Sequence, residues 1–138
     1  MSDITSQSLT SLVKNIKEKK LSSEDVTKAF VDRSEKSKEL NSYISEDFSA
    51  AIDKAKKFDK KPNLDQKLPG IPMAVKDLFC TKDIRTTAGS KILENFIPTY
   101  ESTVTNNIWN EGAILLGKLN CDEFAMGSSN ETSFYGNV

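Results

Sequence analysis

Histidine is absent from this 138-residue sequence. Its absence excludes Ser-His-Asp and Cys-His catalysis and most zinc sites within the chain. Any general base has to be a lysine or a carboxylate. Cysteine is nearly absent too. Cys80 and Cys121 are too few for a disulfide framework and lack metal-ligand spacing, which predicts free, partly buried thiols and no metal site. No apolar run is long enough to span a bilayer, and the opening MSDITSQSL lacks the charged-then-apolar order of a signal peptide. The expectation is a soluble, cytoplasmic chain without membrane contact. Charge of one sign is also missing. Residues 1–61 carry 13 Lys/Arg against 11 Asp/Glu and residues 62–138 carry 6 against 9, for a net charge of −1. Neither part makes the basic field that nucleic acid requires. The clusters KEKK (17–20) and KAKKFDKK (54–61) sit among acids and read as solvated helix faces.

What is present is a globular balance, 37% hydrophobic and 28% charged. Leu9, Leu12, Val13 and Ile16 fall at i, i+3, i+4, i+7, one stripe of an amphipathic helix. A second helix restarts at Ser22 with Asp25 three residues on, a capping box with Asp in place of Glu, and continues a face through Val26, Ala29, Phe30 and Arg33. A third is predicted from about Asp47, with Phe48, Ala51, Ile52 and Ala55 on one side. These three are packing elements without chemistry of their own. After the polar connector 59–69, IPMAV (71–75) is a short apolar run of the kind found in a strand covered on both faces. CTKDIRTTAGS (80–90) is a loop. ESTVTNNIWNEG predicts a helix capped near Ser102 and closed by Gly112, and AILLGK (113–118) a second buried strand. Strand, helical crossover, strand is the βαβ pattern of a parallel pair. The predicted class is therefore α/β, with an N-terminal helical segment over 1–61 and the first part of an α/β domain over 62–138. Two strands alone do not complete such a sheet.

Lysine is rarely buried without a partner. In GIPMAVKDLF (70–79) Lys76 stands where an apolar strand ends, the place where functional groups gather in α/β sheets. Desolvation there would lower its affinity for a proton and let it act as a general base, as in Ser-Lys enzymes. The bland alternatives are an edge lysine reaching water or a simple pair with Asp77. Asp122 and Glu123 are adjacent and so face different ways; capping a short helix or accepting loop amides suits them better than acid–base work. Ser128, Ser129, Thr132 and Ser133 lack the G-x-S-x-G context of an elbow nucleophile and read as turn residues. Phe124 and Met126 read as core.

LPGIPMAVKDLFCTKDIRTTAGSKILENF (68–96) followed by TVTNNIWNEGAILLGKLNCDEFAMGSSNETSFYGN (103–137) closely resembles the amidase signature family, and DEFAMGSSNETS with TTAGSKILENF is similar to its tRNA-dependent amidotransferase branch. The resemblance implies amide hydrolysis by a Ser–Ser–Lys triad. Lys76 matches the family's catalytic lysine, and Met126, Gly127, Ser128 and Ser129 would line the approach to the reacting carbonyl. In that branch the amide is glutamine, and the ammonia passes to the B subunit, which uses ATP and magnesium to amidate an aminoacyl-tRNA; the C subunit is a small stabilising partner. No cofactor is implied for this chain. The resemblance also implies that both catalytic serines follow residue 138, so the 138 residues alone are expected to lack amidase activity. A stand-alone amidase of small amides and a non-catalytic interaction fragment are the alternatives.

Overall fold

A computed structural model describes residues 3–138. Among these residues four α-helices, α1 (Leu9–Lys17), α2 (Ser23–Glu35), α3 (Phe48–Lys60) and α4 (Thr103–Asn110), accompany three strands, β1 (Tyr43–Glu46), β2 (Pro72–Lys76) and β3 (Ile114–Leu119). The helix starts follow their caps. Ser22 Oγ accepts the Asp25 amide, Asp47 accepts that of Ala50, and Ser102 Oγ accepts that of Thr105. Gly112, just past α4, has φ +92°, the left-handed conformation that ends a helix without a Cβ penalty.

The chain divides into two compact units. The first comprises Met1–Lys36, Asp47–Met73 and Ile108–Leu116. Its core joins Leu12 and Ile16 of α1, Val26 of α2 and Ile71, with Phe30 and Phe58 packed against them. Of the predicted stripe on α1, Leu9 stays exposed. On α2 the buried positions are Ser23, Val26, Thr27 and Val31, with Ala29 and Phe30 half-buried, while Arg33, one i+7 step from Val26 at the edge of that face, is exposed and donates to Thr5 Oγ1. Asp59 of α3 reaches the start of α2, accepting the Ser23 and Glu24 amides at 2.9 Å each, and so ties the two helices together through amides that no carbonyl can satisfy.

The second unit comprises Ser37–Glu46, Ala74–Asn107 and Gly117–Val138. The sheet order is β1-β3-β2, with β3 in the middle. β2 and β3 are parallel: the Ile114 amide donates to Ile71 O and the Asp77 amide to Leu119 O, so both strands advance together. The βαβ reading is met. The third strand was not anticipated. β1 pairs antiparallel with β3 through Ser45–Lys118 and Glu46–Gly117, making the sheet mixed. YISE carries neither an apolar run nor a clean alternation, because an edge strand is covered on one side only and Glu46 turns outward to Lys38 at 3.3 Å.

Gly117 sits where β1 comes nearest. A Cβ there would run into Ser45 O and lie 2.9 Å from Glu46 Cα, both backbone atoms that cannot swing aside. Gly117→Ala is expected to lower unfolding stability by about 1–3 kcal/mol, the range for overpacking, as read from the urea midpoint.

Candidate functional site

β2 ends on Lys76, one residue later than the apolar run alone predicts. Strand alternation then sends neighbours opposite ways. Lys76 is exposed, while Asp77 is wholly buried. The Phe79 amide donates to Lys76 O at 3.1 Å, closing a tight turn over 76–79. Burial at the strand ends falls instead on Lys118 of β3, at 0% exposure. Its ammonium donates to Phe79 O at 2.7 Å and to Thr86 Oγ1 at 2.8 Å, and lies 3.5 Å from Asp77 Oδ1. Desolvation pushes the Lys118 amine below its ordinary value of 10.5, against the opposing pull of Asp77. Asp77 is shared: its Oδ2 accepts the Thr87 amide at 2.8 Å and Thr87 Oγ1 at 2.5 Å. The dry lysine expected at the end of an apolar strand is thus present, but it is Lys118. AILLGKL carries the same signal as IPMAVKD, a lysine closing a buried run, and that signal could have found it.

The loop bearing residues 126–129 is held from beneath by Asp122. Its two carboxylate oxygens accept the Asn130 and Thr132 amides at 2.9 and 3.1 Å and Thr132 Oγ1 at 2.9 Å. Those bonds, Asn130 first, hold its carboxyl below the ordinary value of 3.8. Asp122 therefore binds a loop, as expected of it, and Glu123 accepts Ser90 Oγ at 2.5 Å. Phe124, Ala125 and Asn130 all have positive φ, 52° to 58°, a conformation uncommon outside glycine. Met126, Gly127, Ser128 and Ser129 are all exposed, so Met126, at 77% exposure, is not a core residue. A Cβ on Gly127 would strike the Asp122 carboxylate, which is why this position is glycine. Ser129 Oγ donates to Glu131 at 2.8 Å. Lys76 and this loop are joined indirectly: Asp77 O accepts the Ala88 amide, and Ala88 O accepts the Phe124 amide.

Because the folded Asp122 releases its proton at lower pH than an unfolded one, its contribution to stability is present above about pH 4 and fades as pH falls further. The stability gap between the wild type and Asp122→Asn is expected to narrow on acidification from pH 7 to pH 3, measured by urea titration at each pH. A gap that stayed constant would show that the carboxylate charge is not what the loop amides hold.

Both cysteines are free, Cys121 buried and Cys80 partly so, as predicted. Among the described residues no helix is long and apolar enough to cross a membrane.

The amidase family model matches residues 25–138. The chain belongs to the amidase family. It is 80% identical over its whole length to the A subunit of the glutamyl-tRNA(Gln) amidotransferase of Pelagibacter ubique (strain HTCC1062), and 50% identical over 99% of its length to that of Hyphomonas neptunium (strain ATCC 15444). In each case the match falls on the N-terminal portion, and the chain spans 28% of the relative's length. Among solved structures, the A subunit of the Thermotoga maritima glutamyl-tRNA(Gln) amidotransferase is similar at a TM-score of 0.76 and 28% identity, over 99% of this chain and 27% of that one. A fatty acid amide hydrolase superposes with a TM-score of 0.87 at 23% identity, over 100% of this chain and 26% of that one, and shares the fold. The α/β class and the amidase resemblance both hold.

Proposed function

We propose that these residues form the N-terminal part of the glutaminase subunit of a tRNA-dependent amidotransferase, with Lys76 as the ultimate base of a Ser–Ser–Lys triad. The observation that carries this reading is the 80% identity with an amidotransferase A subunit over all 138 residues. Residues 62–138 bear the chemistry and residues 1–61 the helical scaffold. The two serines belong to sequence beyond these residues, so the segment by itself supplies the base and no nucleophile.

In this reading Lys76 takes a proton relayed through one serine as the other attacks the side-chain carbonyl of glutamine. Ammonia leaves carrying a proton, and water then releases glutamate from the acyl-serine. Met126, Gly127, Ser128 and Ser129 border the path of the amide. The B subunit, using ATP and magnesium, takes the ammonia to an aminoacyl-tRNA, the C subunit stabilises the assembly, and this chain holds no cofactor. The setting is the cytoplasm.

The test is a chimera. These 138 residues replace the matching region of the Pelagibacter A subunit, and the product is co-expressed with the B and C subunits. Glutamine-dependent ammonia release and amidation of Glu-tRNA are expected. Hydrolysis of small amides at one rate with or without the B and C subunits would point to a stand-alone amidase instead.

A further inference from the structure

The ammonium of Lys118 touches three things that matter for Lys76. It bonds to Phe79 O, the last residue of the tight turn that begins at Lys76. It faces Asp77, the residue next to Lys76, whose other oxygen grips Thr87. It also bonds to Thr86 Oγ1, on the strip that carries Ala88 and Gly89. From that strip Ala88 O and Gly89 O accept the Phe124 and Phe134 amides, one from each side of the 126–129 loop. Gly89 has no room for a side chain: a Cβ would stand 2.5 Å from Cys121 O. Among the described residues Asp77 Oδ1 has no hydrogen-bond partner, only the ammonium at 3.5 Å, so the pair is not saturated by its own contacts. A buried pair of this kind contributes little net stability compared with apolar residues of the same shape. Its distinctive property is direction, since an ammonium must aim each N–H at an acceptor.

We propose that Lys118 and Asp77 are positioning residues: together they fix the turn that carries Lys76 and the strip that carries the 126–129 loop, so that base and substrate approach are held as one rigid piece. This rests on the function proposed above. Neither residue touches substrate in this account. They act through the backbone at 76–79 and at 86–89.

The experiment uses the same chimeric protein in complex with the B and C subunits, with kcat referred to the concentration of sites that acylate. Asp77→Asn/Lys118→Met keeps the packing and the Thr87 contact while removing both charges and the tether to Phe79 O. Its kcat is expected to fall on the order of 10–100-fold, the scale of a misplaced catalytic group, with KM for glutamine within about threefold of wild type. A packing role alone would reduce the number of acylatable sites and leave kcat per site unchanged. Thr86→Val and Thr86→Ser provide a gentler pair: the valine variant, which loses the Lys118 contact, should lower kcat per site, and the serine variant, which keeps the hydroxyl, should restore it. If kcat per site is within threefold of wild type in the double variant, or Thr86→Val is no slower than Thr86→Ser, the positioning role is wrong. A wild-type chimera that binds the B and C subunits but releases no ammonia from glutamine would overturn the function itself, which is a different result.

Discussion

Lys76→Ala, placed in the chimeric amidotransferase, is expected to reduce glutamine hydrolysis by at least about a thousandfold, in keeping with removal of one member of a catalytic unit. The same substitution should leave the fold intact. Lys76 is exposed at the end of β2, and the bonds of its turn are made by the backbone, through its carbonyl and the Phe79 amide. Surface substitutions of this sort change stability by no more than about 0.5 kcal/mol. Initial rates of ammonia release, set beside a thermal unfolding curve, test both halves. Substantial residual hydrolysis would remove Lys76 from the chemistry, and a fall in melting temperature would make it a structural residue. Lys76→Arg should be as inactive as alanine, because a guanidinium does not give up its proton in the working range.

One position along, the effect reverses. Asp77→Ala is expected to lower unfolding stability by about 3–5 kcal/mol, the range for removing one partner of a buried ion pair. The variant strands the Lys118 ammonium at 0% exposure and leaves the Thr87 amide and hydroxyl without their acceptor. Both penalties fall on the folded state alone, since water satisfies these groups once the chain opens. Denaturant titration of the chimeric protein gives the measurement. Adding Lys118→Met to Asp77→Ala should recover a large share of the loss, because the unpaired charge is then gone. Were the double substitution as damaging as the sum of the two single ones, the pair would not be coupled and the attribution would fail. Two adjacent residues are thus expected to respond in opposite ways, exposed Lys76 through activity and buried Asp77 through stability.

Much of this arrangement was legible in the sequence because it rests on local rules. The Ser22, Asp47 and Ser102 caps, Gly112 beyond α4 and the parallel β2–β3 pair each follow from a short stretch of residues whose chemistry permits few conformations. What escaped was decided by distant partners. β1 is a strand because β3 offers it a ladder, which no feature of YISE announces. Lys118 is buried because Phe79 O, Thr86 and Asp77, up to 41 positions away, converge on it. Met126 looks like core by its side chain, yet it is carried outward by two preceding residues with positive φ, 52° and 57°. Lys76 and Lys118 close similar apolar runs, and only the tertiary structure distinguishes which of them stays in water.

The charge at the end of β3 also bears on how the sheet finds its alignment. Sliding β3 by one residue against its neighbours would turn Lys118 to the opposite face, away from its two acceptors and from Asp77, and bring Leu119 round in its place. Slipped pairings that hydrophobic contact alone would tolerate are therefore heavily penalised, and the central strand has a single address.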